Sequence, residues 1–400
     1  MKKTLAAVAV LGAFAGTAMA ADVTLYGKID LGLNYQHLDD GSVTTNQVSE
    51  KSGQNSGSRF GLKGTEDLGN GYKVGFVLEN GFTEDDGQLG NSGRLFGREA
   101  NLYVASDFGT LSFGRVGALT SGAGSYDLMK YTPFATGWAG TATKANFMLA
   151  DRDRMDNTVT YVTPSFAGVQ VYAQYSFNRD GQETAGNERQ NDRYAALGAT
   201  YKNGAFSSAL VVDTVMHNNK SANDKDSLGV TLGASYDFEV VKLFAMGQYG
   251  QHENFLGTTF DKGTKTTASG TKYAADYFKT LSSKGWKGYG VNLGATAPVL
   301  GGTVLAQASY LDAKTHDRMT YEEAKKGDNA TTELAEKSYD EAKAQNWGIA
   351  LGYTYPFSKR TNVYTYVSYN ETQVKTEAEA KDTDVTTKFT EFGLGIKHTF

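Results

Sequence analysis

The chain has 400 residues, with 39 Lys and Arg against 44 Asp and Glu, a formal net charge of −5, 47 glycines, 24 tyrosines, 21 phenylalanines, 4 prolines and no cysteine. A mean hydropathy of −0.42 excludes a helical membrane protein, 12% aromatics argue against disorder, and the lack of Cys removes disulfides, thiolate metal sites and a Cys nucleophile. Glycine and aromatics in this abundance, with so little proline, suit long β-strands.

Lys2 and Lys3 precede an apolar run from Leu5 to Ala15, and Ala18-Met19-Ala20 forms a small-x-small cleavage site. This reads as a Sec-type signal peptide over residues 1–20, with 21–400 as the mature barrel-forming chain. The run is shorter than the roughly 20 residues a helix needs to cross a bilayer. Removing residues 1–20 takes two lysines and no acid, leaving 37 basic and 44 acidic residues, net −7. No later segment approaches the length of a transmembrane helix, so an exported chain of this kind is either soluble or inserted as strands.

From Val23 onward the pattern has period two. Leu25, Ile29, Leu31 and Leu33 alternate with Tyr26, Lys28, Asp30 and Asn34, which strands do and helices do not. The same alternation recurs through Val169–Phe177, Leu228–Tyr236, Tyr289–Ala297, Trp347–Tyr355 and Phe392–Phe400. Sixteen strands are expected, at 23–35, 58–65, 72–82, 95–106, 109–115, 157–163, 169–177, 193–201, 205–213, 227–236, 241–249, 286–297, 303–311, 346–355, 362–370 and 388–400. Short turns such as 164–168, 202–204, 298–302 and 356–361 alternate with long polar loops. Pro164, Pro298 and Pro356 lie in those turns, where a missing N–H costs no ladder bond. In the loop 312–345, Glu322–Lys326 and Glu333–Lys337 have i,i+4 spacing and predict short surface helices.

Tight turns at one end, long loops at the other and an even strand number are the signature of an all-β, 16-stranded antiparallel transmembrane β-barrel. One strand face is continuously apolar. The other is too rich in Gly, Thr, Ser, Gln, Lys and Arg for a dry interior, so lipid outside and water inside satisfies both. Tyr and Phe near strand ends suit the membrane interface. Phe400 closes the last strand on its apolar face, a terminal aromatic of the kind outer-membrane assembly machinery reads. The loop 116–156 is built largely of small residues, and between Gly109 and Ala150 its only acid is Asp127. Such a loop is expected to fold into the lumen rather than stand in solvent.

Residues 58–82 (SRFGLKGTEDLGNGYKVGFVLENGF), 95–98 (LFGR), 108–115 (FGTLSFGR) and 154–168 (RMDNTVTYVTPSFAG) resemble the signature segments of the neisserial-like general diffusion porins of Gram-negative bacteria. The resemblance implies a homotrimer in the outer membrane, in contact with lipid and lipopolysaccharide, whose third external loop narrows each barrel. It implies a constriction in which Arg59, Arg98 and Arg154 face Glu79 and Asp127. Periodicity independently points Glu79 and Arg59 inward. It serves Arg98 less well, because an inward Arg98 on a regular strand would turn Glu99, Asn101 and Tyr103 outward.

Arginines facing carboxylates across a narrow ring create a transverse field focused by low-dielectric walls. The set carries an excess of one positive charge, Lys28 and Lys63 add to it, and distant loop acids are screened beyond about 8 Å. The expected function is a water-filled channel for passive diffusion of ions and small hydrophilic solutes, weakly anion-preferring. The alternatives are a solute-specific porin for a sugar or organic anion, with inward Tyr26, Tyr172, Tyr364 and Tyr366 as candidates for its track, and an adhesion or receptor barrel. Catalysis is poorly supported. The five histidines form no metal-spaced cluster, His37 beside Asp39 and Asp40 is the best available pair, and the Gly-rich turns lack dinucleotide or P-loop spacing. No cofactor and no nucleic-acid partner is expected.

Overall fold

Period-two alternation does organise the chain. In the computed structural model the described residues are 23–39, 41, 43–134, 138, 147–150, 152–181, 191–217, 225–253, 285–316, 319–326, 332–339, 341–377 and 383–400. Residues 1–20, the expected signal peptide, lie outside them. The first seven strands are β1 (Thr24–Asp39), β2 (Thr44–Ser52), β3 (Arg59–Gly69), β4 (Tyr72–Gly81), β5 (Glu99–Ser106), β6 (Gly109–Gly117) and β7 (Arg154–Val162). Next come β8 (Val169–Ser176), β9 (Arg193–Asn203), β10 (Phe206–Met216), β11 (Leu228–Asp237), β12 (Lys242–Glu253), β13 (Trp286–Val299) and β14 (Gly302–Thr315). The last five are β15 (Met319–Lys326), β16 (Thr332–Tyr339), β17 (Glu341–Pro356), β18 (Thr361–Glu377) and β19 (Thr383–Thr399).

Seventeen of these form one sheet, and β15 with β16 forms a separate hairpin. Leaving β2 aside, each strand of the large sheet pairs antiparallel with the next strand of that sheet in chain order, and β1 pairs with β19 as well as with β3, so the sheet closes on itself. The extra member is β2. It shares one edge of β1 with β3: residues 24–28 of β1 pair with 59–63, and residues 31–39 pair with 44–52. Together β2 and β3 fill a single place in the ring, which is a closed barrel of sixteen strands. Closure removes every edge that would leave backbone polar groups unpaired in lipid.

The two faces of the strands differ as the alternation requires. In β11, Leu232 and Tyr236 are exposed while Thr231 and Ser235 are buried. In β17, Trp347, Ile349 and Leu351 are exposed while Asn346 and Ala350 are buried. The apolar exposed face is the outside of the barrel, and the polar buried face is the inside.

Three sequence expectations change. The loop expected at 36–57 contains β2. Its sequence, TTNQVSEKS, lacks an apolar face and is mostly exposed, consistent with a strand extending beyond the hydrocarbon, where water bathes both sides. The helices expected within 312–345 are instead the β15–β16 hairpin, with Lys325 in register with Glu333 and Tyr321 with Lys337. Isolated helices of about eight residues are marginal in water, whereas a hairpin can continue the long strands β14 and β17. The strand expected at 95–106 begins only at Glu99. Arg98 therefore precedes the ladder and is free of its alternation. Glu99 and Asn101 are buried, in register with Glu79 and Val77 of β4, while Leu102 and Val104 take the outer face.

Candidate functional site

Positive charge gathers on the inner wall where the ring closes. Arg59 opens β3, with Lys28 of β1 in register beside it. Arg98 Nε donates to Glu79 Oε1 at 2.7 Å, and Arg59 Nη1 lies 3.7 Å from the same oxygen. The Tyr26 hydroxyl donates to Glu79 Oε2 at 3.1 Å. Arg154 opens β7 and donates from Nε to the Arg98 carbonyl at 3.0 Å, while its Nη1 meets the exposed Asp153 carboxylate at 3.0 Å. Arg59, Arg98 and Arg154 are close enough to repel one another, as are Lys28 and Lys397 with Arg59. One glutamate thus serves two guanidiniums.

The turn 53–58 between β2 and β3 runs inward and braces this cluster. Its backbone N–H groups at Asn55 and Ser56 donate to the Asp30 carboxylate, at 3.0 and 2.5 Å. Its oxygens meet the cations: Arg59 donates to the Gly57 carbonyl at 2.9 Å and to Ser56 Oγ at 3.0 Å, and Lys397 Nζ donates to Asn55 Oδ1. Gln54 is fully buried and accepts from Asn34 at 3.1 Å. Tyr364 donates to Asp30, and Trp138 packs edge-on against both Tyr364 and Tyr366 with ring centroids 5.4 Å apart.

The connection between β6 and β7 meets the inner faces of many strands. A Cβ on Gly198 would lie 2.8 Å from Leu128, on Gly233 2.6 Å from Tyr131, and on Gly290 1.6 Å from the Phe147 carbonyl oxygen. Only glycine allows backbone to pass backbone that closely at residue 290. Ser125 N–H donates to Glu99 at 3.2 Å. At the far end Arg152 is buried, with Nε on Asp213 at 2.7 Å, Nη1 on Glu253 at 2.7 Å and Nη2 on Ser227 Oγ at 3.0 Å. Asp127 is buried within the connection itself, and its Oδ1 accepts from the backbone N–H groups of Gly122 and Met129, at 2.8 and 3.1 Å.

Of the five expected constriction residues, Arg59, Glu79 and Arg98 are joined by ion pairs, and Arg154 is tied to Arg98 through its carbonyl. Asp127 is bonded to its own loop. Glu99, Asp30 and Lys397 belong to the cluster as well. Lys397 was legible on the polar face of the last strand, and Glu99 was misplaced by the expected strand start. Arg115 also approaches, paired to Asp156 at 2.6 Å. Arg152, Asp213 and Glu253 left no local signal, since they are far apart in sequence. His37 faces Asn46 rather than an acid, at 2.8 Å; Asp40 lies outside the described residues. Among the described residues, no three His, Cys, Asp or Glu side chains gather as metal ligands do.

The model of the Gram-negative porin family matches residues 6–375. An outer membrane porin protein of Bordetella pertussis is 34% identical over 424 aligned residues, covering all of both chains. Outer membrane porin protein 32 of Delftia acidovorans is 31% identical, covering 92% of this chain and 89% of that protein. Among solved structures, an anion-selective porin from Comamonas acidovorans superposes with a TM-score of 0.63 at 26% identity, covering 95% of this chain and all of that one.

Proposed function

This chain belongs to the Gram-negative porin family, and we propose that its β6–β7 connection lies inside the barrel as an eyelet, opposite the basic wall of Lys28, Arg59, Arg98, Arg154 and Lys397. The protein is an outer-membrane porin, a channel rather than an enzyme, and its solutes are ions and small hydrophilic molecules. Contacts of one connection with inner-face residues of β9, β11 and β13 favour this placement, since a single segment reaches them all only from the concave side. The anion selectivity of the Comamonas acidovorans porin is consistent with the same preference here.

The observation that carries the reading is the charge balance of the wall. Arg59, Arg98 and Arg154 are ion-paired to two carboxylates, Glu79 and the exposed Asp153, and Lys28 stands beside Arg59, so this part of the wall keeps a net positive charge despite an acidic chain. In a low-dielectric setting such fixed charges attract small anions and raise their local concentration. Arg59, Glu79, Arg98 and Arg154 set the field, while Asp127 shapes the eyelet by capping its own loop. A reversal potential measured across a KCl gradient tests this: chloride should carry more than half of the current. Cation preference that persists after neutralising Asp30, Glu79 and Glu99 would end the proposal. The same reading makes the protein a homotrimer seated among lipid and lipopolysaccharide, delivered by the assembly machinery through Phe400, and closing in three equal steps under high voltage.

A further inference from the structure

A second basic feature lies away from the eyelet. Where β8 to β12 run down to their tight turns, the inner wall borders a recess of about 490 Å³. Three lysines line it, from three different elements: Lys202 in β9, Lys242 at the start of β12 and Lys130 from the β6–β7 connection. Hydroxyls from Thr200, Ser207 and Ser235 share the lining, and no carboxylate does. The acid nearest in register, Asp237 opposite Lys242, accepts from the Glu239 N–H of its own turn at 2.9 Å.

The recess is built by packing rather than by chance exposure. Tyr131 seats against Gly233, where a Cβ would come within 2.6 Å, and this fixes the adjoining Lys130 over β11. The Ser207 and Ser235 hydroxyls are linked at 3.0 Å. The Lys242 ammonium lies over the Phe244 ring at 5.4 Å, which directs it along the inner face. Among the described residues, no ion pair holds any of the three lysines.

Three ammonium groups, each with three donors, together with hydroxyls and no competing acid, suit an oxyanion with more than one negative charge. Chloride carries a single charge on one atom and balances only one of the three ammonium charges, whereas an oxyanion of higher charge spreads its acceptors over several oxygens. We propose that the recess is a binding station, on the short-turn side of the eyelet, for small oxyanions bearing two or more charges, such as phosphate, phosphate esters or dicarboxylates. It rests on the channel reading above and deepens it. The eyelet selects by sign and size, whereas the recess retains polyvalent anions that have passed. A channel station must hold its ligand weakly enough to release it, so occupancy should show as partial, saturable block of the chloride current.

The test uses the full protein in planar bilayers at about 0.1 M KCl, where charges more than about 10 Å apart are largely screened. Inorganic phosphate and succinate are titrated separately on the short-turn side. Each block is normalised to the channel's own KCl current. Saturable block by either probe is expected, and the effective probe identifies the preferred head group. The triple variant Lys130→Gln, Lys202→Gln, Lys242→Gln should raise the half-blocking concentration about tenfold, and Lys202→Gln alone about threefold. The single variant serves if the triple does not show the heat-shifted gel mobility of a folded barrel. Block that does not saturate in the wild type, that is unchanged in the lysine variants, or that vanishes only when Arg59 and Arg98 are neutralised overturns the recess as a site. Absence of any KCl current would instead overturn the channel reading beneath it.

Discussion

Glu79 is shared by two guanidiniums and a tyrosine hydroxyl, so its removal does more than delete one contact. Glu79→Gln leaves Arg59 and Arg98 facing each other without a counter-charge in a half-buried setting. Breaking a pair of this kind costs about 3 kcal/mol, and the barrel should unfold at lower temperature, read by the heat-shifted gel mobility. The same variant should strengthen anion preference, because the wall loses a carboxylate and keeps its cations. A variant with unaltered selectivity would show that the field at the narrowest point arises elsewhere. The converse change, Arg59→Ala with Arg98→Ala, removes two of the five cations. It should lower the chloride-to-potassium permeability ratio by roughly two- to threefold at low salt, with the difference shrinking as salt rises.

Among the elements, the β6–β7 connection is secured at both ends: by Ser125 on Glu99 near its start, and by Arg152 on Asp213 and Glu253 at its finish. Arg152→Ala would leave two carboxylates buried together, at a cost of about 3 kcal/mol or more. The expected outcome is a channel whose open current flickers because one anchor of the eyelet is lost; a quiet trace identical to wild type would refute the anchoring role. Gly290→Ala should give a similar phenotype for a different reason, since its Cβ cannot coexist with the Phe147 carbonyl where it now lies. How much of this could be read from sequence depends on where each element sits. Strands such as β11 and β17 cross lipid, so their outer residues must be apolar, and the alternation of Leu232 with Thr231 or Leu351 with Ala350 is plain. β2 and the β15–β16 hairpin lack that alternation: their residues are free to be polar on both faces, and the pattern that marks a strand is erased. The inner charge cluster was half legible. Arg59 and Glu79 follow the period of their strands, whereas Arg98 precedes its strand and cannot be placed by counting. The Arg152 clamp joins residues 61 and 101 positions apart, and nothing local in a sequence announces such a partnership.

At the scale of the whole molecule, the decisive feature is the closed ring with opposite chemistry on its two sides. Apolar side chains such as Leu25, Leu33, Leu197, Leu232, Leu293 and Ile349 are exposed on the outside, which is tolerable only in hydrocarbon. The closing seam is sealed by the last residue: Phe400 N–H donates to the Gly27 carbonyl at 3.0 Å, and Gly27 N–H donates to the Phe400 carbonyl at 3.1 Å. Deleting Phe400 therefore removes two ladder bonds as well as the terminal aromatic. The yield of folded, membrane-inserted barrel should fall several-fold, measured by protease resistance of the outer-membrane fraction. Undiminished yield would show that the seam holds without it.

That seam also brings the first and last strands side by side, with β1 and β19 in register from Lys28–Thr399 to Asp39–Lys388. A short linker from residue 400 back to residue 23 would turn the chain into a continuous loop around the pore. New ends could then be cut into any long external connection, such as the one bearing the β15–β16 hairpin, without changing which strand lies beside which. Circular permutants of this porin should accordingly conserve the pore once folded, as single-channel conductance would show, while giving up Phe400 as the last residue that the chain presents for assembly.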